Sequence, residues 1–328
     1  MRKGTLLLVV TLQALILWAG EDAREQAVRL MSAANDVSRL DPALKLRERS
    51  HFTLFHTKKG DISGDFERDH DSAKQWREAF AILTPEGGFQ EIQLRSGDRI
   101  WSVKNTDFEP LRVQQLKPLF SPTYLVLTDS DEIKSVTHEK IDGAEARCIS
   151  LKTITPDRKR DGGACVDAAK NTYLEWHQDR DGLHYELSDY TPFAGKLLPQ
   201  HFVLTERGQK LAEGSIKWDL VSRFDAGVFA VPATATERSA CTRSEHPVLL
   251  HRVDPQYPPG YRRLAGPVTV GVEISPEGNV TKAQVLETLD SSFDESALDA
   301  VRKWTFEPAK CDGSPILTDI NVQVNFRY

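Results

Sequence analysis

Two stretches of this chain gather the residue types that hold metal ions, DFERDHD at 65–71 and HQDRDGLH at 177–184. Histidine nitrogens and carboxylate oxygens are the donors such sites use. Both stretches also read as charged hairpin tips, because Asp-Gly and clustered polar residues favour tight turns without any ligand. That is the reading adopted, and neither a metal nor a cofactor is expected. No GxSxG, HExxH, GxGxxG or phosphate-loop pattern is present, and no cysteine is placed beside a histidine as a nucleophile would be. The residues therefore give an enzyme little support.

The four cysteines, Cys148, Cys165, Cys241 and Cys311, have no CxxC or Cys/His spacing that would suit zinc. They follow an export-type N-terminus, MRKGTLLLVVTLQALILWAGEDA, with a basic pair, an apolar run and then acidic residues. In an oxidising compartment an even number of cysteines reads as disulfides, and four allow three connectivities. Cys148 in AEARCISLKT and Cys165 in GGACVDAAK flank a short polar loop, as paired strands of a long hairpin would. Local pairing of Cys148 with Cys165 is the simplest choice, which leaves Cys241 for Cys311. The apolar run would span about 25 Å as a helix, short of a hydrocarbon core of ~30 Å. Residues 1–20 are thus a signal peptide cut near Glu21 or a retained membrane anchor.

The elements that must position these residues fall into two folded parts, as a length of 328 residues with 40% hydrophobic content allows. The net charge of −6, without a basic cluster, excludes a nucleic-acid footprint. Ala27, Leu30, Met31, Ala34 and Val37 recur at helical spacing, and Pro42 stops that helix. From His51 to about Val221 short alternating runs separated by DG, GG and RG turns predict an antiparallel meander, broken at 109–130 by a short helix. In the clearest runs Leu183, Tyr185 and Leu187, and Ile216, Trp218 and Leu220, form the apolar phase. The stretch VFAVPATATERSACTRSEHP reads as a linker, giving a first domain over 21–232, a linker over 233–253 and a second domain over 254–328.

The second domain is the more regular. Val268, Val270, Val272 and Ile274 alternate with polar residues, a PEG turn follows, and Val280 opens a second strand, so a hairpin with one buried face is expected. In SSFDESALDAVRKWTFEP, Ser292 and Glu295 fit a capping box, with Asp294 in the first turn and Arg302 and Lys303 in the last. Phe293, Ala297, Ala300, Val301 and Trp304 form one stripe. A third strand runs to Tyr328 with Val322, Val324 and Phe326 inward. The class is α+β: a helix with a curved antiparallel, half-barrel-like sheet, then a small ββαβ domain. The final strand is expected to be an edge, where Asp319, Asn321, Gln323, Asn325 and Arg327 could take a partner strand by β-augmentation. A second copy of the same domain is the other occupant considered.

The first domain, over 21–232, resembles the half-barrel of the outer-membrane lipoprotein carriers, in which a sheet wraps a helix. That resemblance implies a hollow for a lipid or lipoprotein, lined by Phe52, Trp76, Trp101 and Trp218; the plain reading of those aromatics is a filled core. Tyr257-Pro258, Gly266, the PEG turn, AVRKWTFEP and the closing VQVNF together resemble the C-terminal domain of the TonB family over 254–328. That resemblance implies a periplasmic module that captures an extended segment of an outer-membrane or periplasmic protein. The chain departs from energy-transducing members, because its apolar run holds no histidine and a β domain stands where they have a Pro-rich spacer.

Overall fold

The computed structural model describes residues 23–57, 60–83, 88–120, 125–155, 158–178, 182–238, 241, 243–261 and 264–327, so the expected leader at 1–20 and its cleavage point lie outside the described residues. Among the described residues no helix is long and apolar enough to cross a membrane. The chain divides into two compact units, Met1–Gly88 with Leu116–Val228, and Phe89–Gln115 with Phe229–Tyr328.

In the first unit a helix over 23–38 buries Ala27, Leu30, Met31 and Ala34, the stripe its spacing predicts. A large curved antiparallel sheet carries, in order, Gln75–Ile82, Gly60–Ser72, Leu46–Thr57, Gln209–Leu220, His201–Glu206, Leu183–Ser188, Tyr173–Gln178, Arg158–Asp167, Ala144–Thr155 and Asp131–Ile141. Most neighbours are joined by hairpins. Leu46–Thr57 also pairs with Gln209–Leu220 and so ties the start of the unit to its end.

Rows of directly opposed residues explain the core. Phe52 faces Gly64 on one side and Gly214 on the other. A Cβ on Gly64 would come within 2.4 Å of the Phe52 ring, so the glycines supply the room that the ring fills. Phe52 packs on Phe80 and Phe120 at 5.4 and 5.9 Å between ring centroids. Phe66 stacks on Phe120 at 4.5 Å. Phe52 therefore belongs to a packed aromatic cluster, and it is not among the residues that line the cavity described below.

The stretch DFERDHD is not a turn, contrary to the sequence reading. It lies inside the strand Gly60–Ser72, where opposed charges on neighbouring strands hold it extended. Arg68 stands between Glu48 and Glu78, and Asp69 accepts from Arg47 Nε at 2.6 Å. Leu220, expected in the apolar phase, is exposed at the strand end.

In the second unit the strands Val280–Glu287, Gly266–Ile274 and Thr318–Phe326 form an antiparallel sheet with Gly266–Ile274 in the middle. The helix Ser291–Val301 packs Phe293, Ala297 and Val301 against Val268, Val270, Val272, Ile274, Val324 and Phe326. Its N-cap is Asp290, whose side chain accepts from Ser292 N at 3.0 Å. The expected box of Ser292 and Glu295 is displaced because the helix begins one residue before Ser292, and Arg302 is the C-cap instead of part of a basic last turn. Trp304 is buried beyond the helix end and donates from Nε1 to the Val253 carbonyl at 2.8 Å.

The middle strand was expected to bury one face. It buries Val268, Thr269, Val270, Gly271 and Val272 in succession, because Phe108 lies on its other face, with its ring 2.9 Å from where a Cβ on Gly271 would stand. The stretch read as a linker is tied within this unit. Thr236–Arg238 pairs with Arg99–Lys104, Val248–His251 pairs with Thr305–Glu307, and Cys241 is bonded to Cys311. Cys148 is bonded to Cys165, directly opposite in register.

Candidate functional site

Three places on the molecule have the geometry of a site. The first is the terminal strand Thr318–Phe326, which pairs with Gly266–Ile274 on one side and, among the described residues, with no strand on the other. Backbone groups of alternate residues point to opposite sides of a strand, so it matters which residues aim outward. Glu273 sits opposite Asp319, and its carbonyl accepts from Thr281 Oγ1 on the strand Val280–Glu287. Glu273 thus directs its backbone away from Asp319. Pro267, which has no N–H to give, sits opposite Asn325 in the same phase. The N–H and C=O groups of Asp319, Asn321, Gln323 and Asn325 therefore aim at the open side.

Their side chains are a separate matter. Asp319, Asn321, Gln323, Asn325 and Arg327 are all exposed; Asp319 takes an ion pair from Lys104 at 3.2 Å, and Asn321 Nδ2 donates to Gln114 Oε1 at 2.6 Å. Tyr257 of the Tyr-Pro pair is a latch. Its hydroxyl donates to the Leu264 carbonyl at 2.7 Å, and its ring meets Phe293 edge-on at 5.3 Å. Pro258 follows it out of the core. Tyr257 also lines a polar hollow of about 400 Å³ with Arg252, Asp254, Pro255, Asn325, Phe326 and Arg327, at the end of the open strand.

With this geometry in hand, relatives can be compared. Residues 253–328 match the family model described as Gram-negative bacterial TonB protein C-terminal. Protein TonB of Escherichia coli strain K12 is 34% identical over 82 residues, covering 24% of this chain and 34% of that protein. Protein TonB of Vibrio cholerae serotype O1 is 32% identical over 79 residues, 23% of this chain and 32% of that protein. The chain thus spans about a third of the length of the curated relatives it matches. The crystal structure of a LolA superfamily protein from Nitrosomonas europaea is similar at a TM-score of 0.41 and 10% identity, covering 62% of this chain and 96% of that one.

The second place is a cavity of about 270 Å³ in the first unit. Leu40, Leu46, Leu119, Leu187, Leu198 and Ile216 are among its apolar lining residues, and Glu48, Arg68 and His70 among its polar ones. Arg68 donates from Nη1 to Glu48 at 2.7 Å and from Nε to Glu78 at 2.9 Å. Burial pushes the Glu48 carboxyl up to about 7, against the opposing pull of Arg68. His70 Nδ1 lies 3.0 Å from the Leu44 carbonyl, which fixes its ring. Of the four aromatics expected to line a hollow, Trp218 does, and its Nε1 donates to the Pro199 carbonyl at 3.1 Å. Trp76 stands opposite His70 in register but outside the lining, and Trp101 belongs to the other compact unit, opposite Leu94. Sequence reasoning missed Glu48, and it placed Arg68 and His70 in a turn. Their signal was charge in both phases of LRERSHF and FERDHD, where a strand with one wet face needs it in one.

The third place is the row opened by HQDRDGLH. His177 and His184 are directly opposed, as are Glu175 and Glu186. One donor atom each from Glu175, His177 and His184 lies within 4.8 Å of the others. The sequence reading weighed a metal site in this stretch and adopted a turn. The strands on either side are in register, and they carry the donors.

Proposed function

We propose that this is an envelope-exported, TonB-like binding protein whose C-terminal module captures an extended segment of a partner protein along Thr318–Phe326. The observation that carries the reading is the row of outward-aimed backbone groups at Asp319, Asn321, Gln323 and Asn325 on an open edge. Such an edge gives affinity through main-chain hydrogen bonds and specificity through flanking pockets. The hollow bounded by Arg252, Asp254, Asn325 and Arg327 offers charge for a polar side chain of the incoming segment. The match over 253–328 supports an outer-membrane or periplasmic partner, and the export-type N-terminus supports delivery to that compartment. Pairing with a second copy through the same edge competes with partner capture.

A second reading is favoured by the apolar cavity. A hollow lined by leucines and a buried Glu48–Arg68 pair suits a lipid or lipoprotein acyl chain, with the C-terminal module as its dock. Native mass spectrometry of protein purified from envelopes reads bound lipid directly. Its absence, with partner capture intact, removes this reading alone.

The main reading is tested by Gln323→Pro and Asn325→Pro. Each removes one outward donor and leaves the ladder to Gly266–Ile274 in place. Both variants should keep their circular dichroism and lose capture of envelope partners at least about tenfold, the effect of roughly 1.4 kcal/mol. Folded variants that capture the same partners as the parent place the docking surface elsewhere.

A further inference from the structure

The half-buried row on the strands Tyr173–Gln178 and Leu183–Ser188 has an ordered composition. The sequence EWHQDRDGLHYE runs Glu175-x-His177 into the turn and His184-x-Glu186 out of it. Antiparallel pairing therefore sets two imidazoles side by side and two carboxylates side by side on one face of the sheet. We propose that Glu175, His177 and His184 form a binding site for a divalent transition cation such as zinc.

Three observations carry this beyond composition. The donor atoms of the three residues already lie within 4.8 Å of one another. Ligands about 2.0–2.2 Å from a tetrahedral zinc stand roughly 3.3–3.6 Å apart, so a small rotation of each side chain closes the set. The His177 and His184 rings are near-parallel at 5.1 Å, and the soft χ2 torsion of histidine is the motion that turns both toward a common point.

The backbone also makes room for it. Gly163 is paired directly with His177, and a Cβ there would meet His177 Cε1 at 2.6 Å and Nε2 at 3.0 Å. Glycine gives the imidazole room over the strand Arg158–Asp167, on the side of Tyr173–Gln178 away from His184. All four side chains of the row are half-buried, which limits their rotamer freedom without closing them to solvent.

The charges are arranged for a cation. The Glu175 and Glu186 side chains stand directly opposite each other on the paired strands, which sets two carboxyl groups side by side. A divalent ion between the strands would relieve that crowding, and Glu186, opposite Glu175, would be a fourth donor. Two imidazoles with carboxylate oxygens suit zinc, copper or nickel better than calcium or magnesium, which take all-oxygen shells.

The test uses the full chain, stripped with a chelator and titrated with zinc chloride by calorimetry, with thermal melting in parallel. One equivalent should bind, and zinc should raise the melting temperature. His177→Ala and His184→Ala should each weaken binding at least about 100-fold, and Glu175→Gln about 10-fold. His51→Ala, in an exposed histidine-carboxylate pair elsewhere, should change nothing. If an alanine variant fails to fold, His184→Asn keeps a similar volume and carries the same expectation. Zinc binding that survives at parental affinity in folded His177 and His184 variants overturns the proposal, and so does the absence of saturable binding by the parent protein.

Discussion

The carbonyl of Phe306 lies 1.9 Å from the position a Cβ would take on Gly278. Gly278 has a φ of +85° and closes the turn between two strands of the C-terminal module, accepting from Phe306 N at 2.8 Å. Gly278→Ala therefore adds both a left-handed backbone penalty and a clash with main chain. Its cost should exceed about 3 kcal/mol, whereas Gly313→Ala, at a φ of +84° with open space around it, should cost about 1 kcal/mol. Denaturant unfolding of the two variants separates the terms, and equal losses would show that the turn shifts to admit the methyl group.

Glu48 makes stability depend on pH in the direction opposite to a surface carboxylate. Its pKa rises from 4.5 to about 7 on folding, so between those values the folded state holds the extra proton. This contribution is fully present below about pH 4.5, fades as pH rises, and is gone above pH 7. The span corresponds to about 3 kcal/mol. Glu48→Gln should remove that slope, so the difference between parent and variant stability, measured from pH 4 to 8, should change with pH. A constant difference would show that Arg68 keeps the carboxylate ionised throughout.

Phe52 and Trp218 were expected to do the same work and should behave differently. Phe52→Ala empties a packed ring cluster and should cost about 3–5 kcal/mol with little effect on a fluorescent fatty-acid probe. Trp218→Ala opens the cavity wall and should alter probe affinity more than stability. Reversed outcomes would mean that the hollow extends to Phe52.

The two disulfides close loops of different size, with sequence separations of 17 and 70. Chain entropy gives about 3 kcal/mol for the shorter and about 4 kcal/mol for the longer. Double alanine replacement of Cys241 and Cys311 should thus cost more than replacement of Cys148 and Cys165. Calorimetry of both variants checks the order. The shorter bridge costing more would assign the stabilisation to packing around Ala146 in the folded state.

Much of the C-terminal module was legible because its signals are local. The apolar stripe of the helix Ser291–Val301, the PEG turn and the alternation of the last strand each lie within one element. What was illegible depends on partners distant in sequence. Nothing near Gly271 announces Phe108, so the middle strand read as half-wet. Arg68 read as part of a turn because its partners, Glu48 and Glu78, arrive only when three strands align. His177 and His184 were legible as donors, but the register that sets them side by side and brings in Glu175 was not, because it depends on strand pairing.

Residues 89–115 precede the strands they pack on by more than a hundred positions. Lys104 waits for Asp319, Asp107 for Lys282 and Phe108 for Gly271. As the chain is made from its N-terminus, that early segment can form its own hairpin but lacks Gly271, Lys282 and Asp319 until they emerge in turn. The second unit therefore completes its packing only once Thr318–Phe326 is made. A polypeptide that stops before Thr318 leaves Lys104 without its counter-ion and the edge of Gly266–Ile274 unpaired, which gives quality-control proteases an exposed target far upstream of the break.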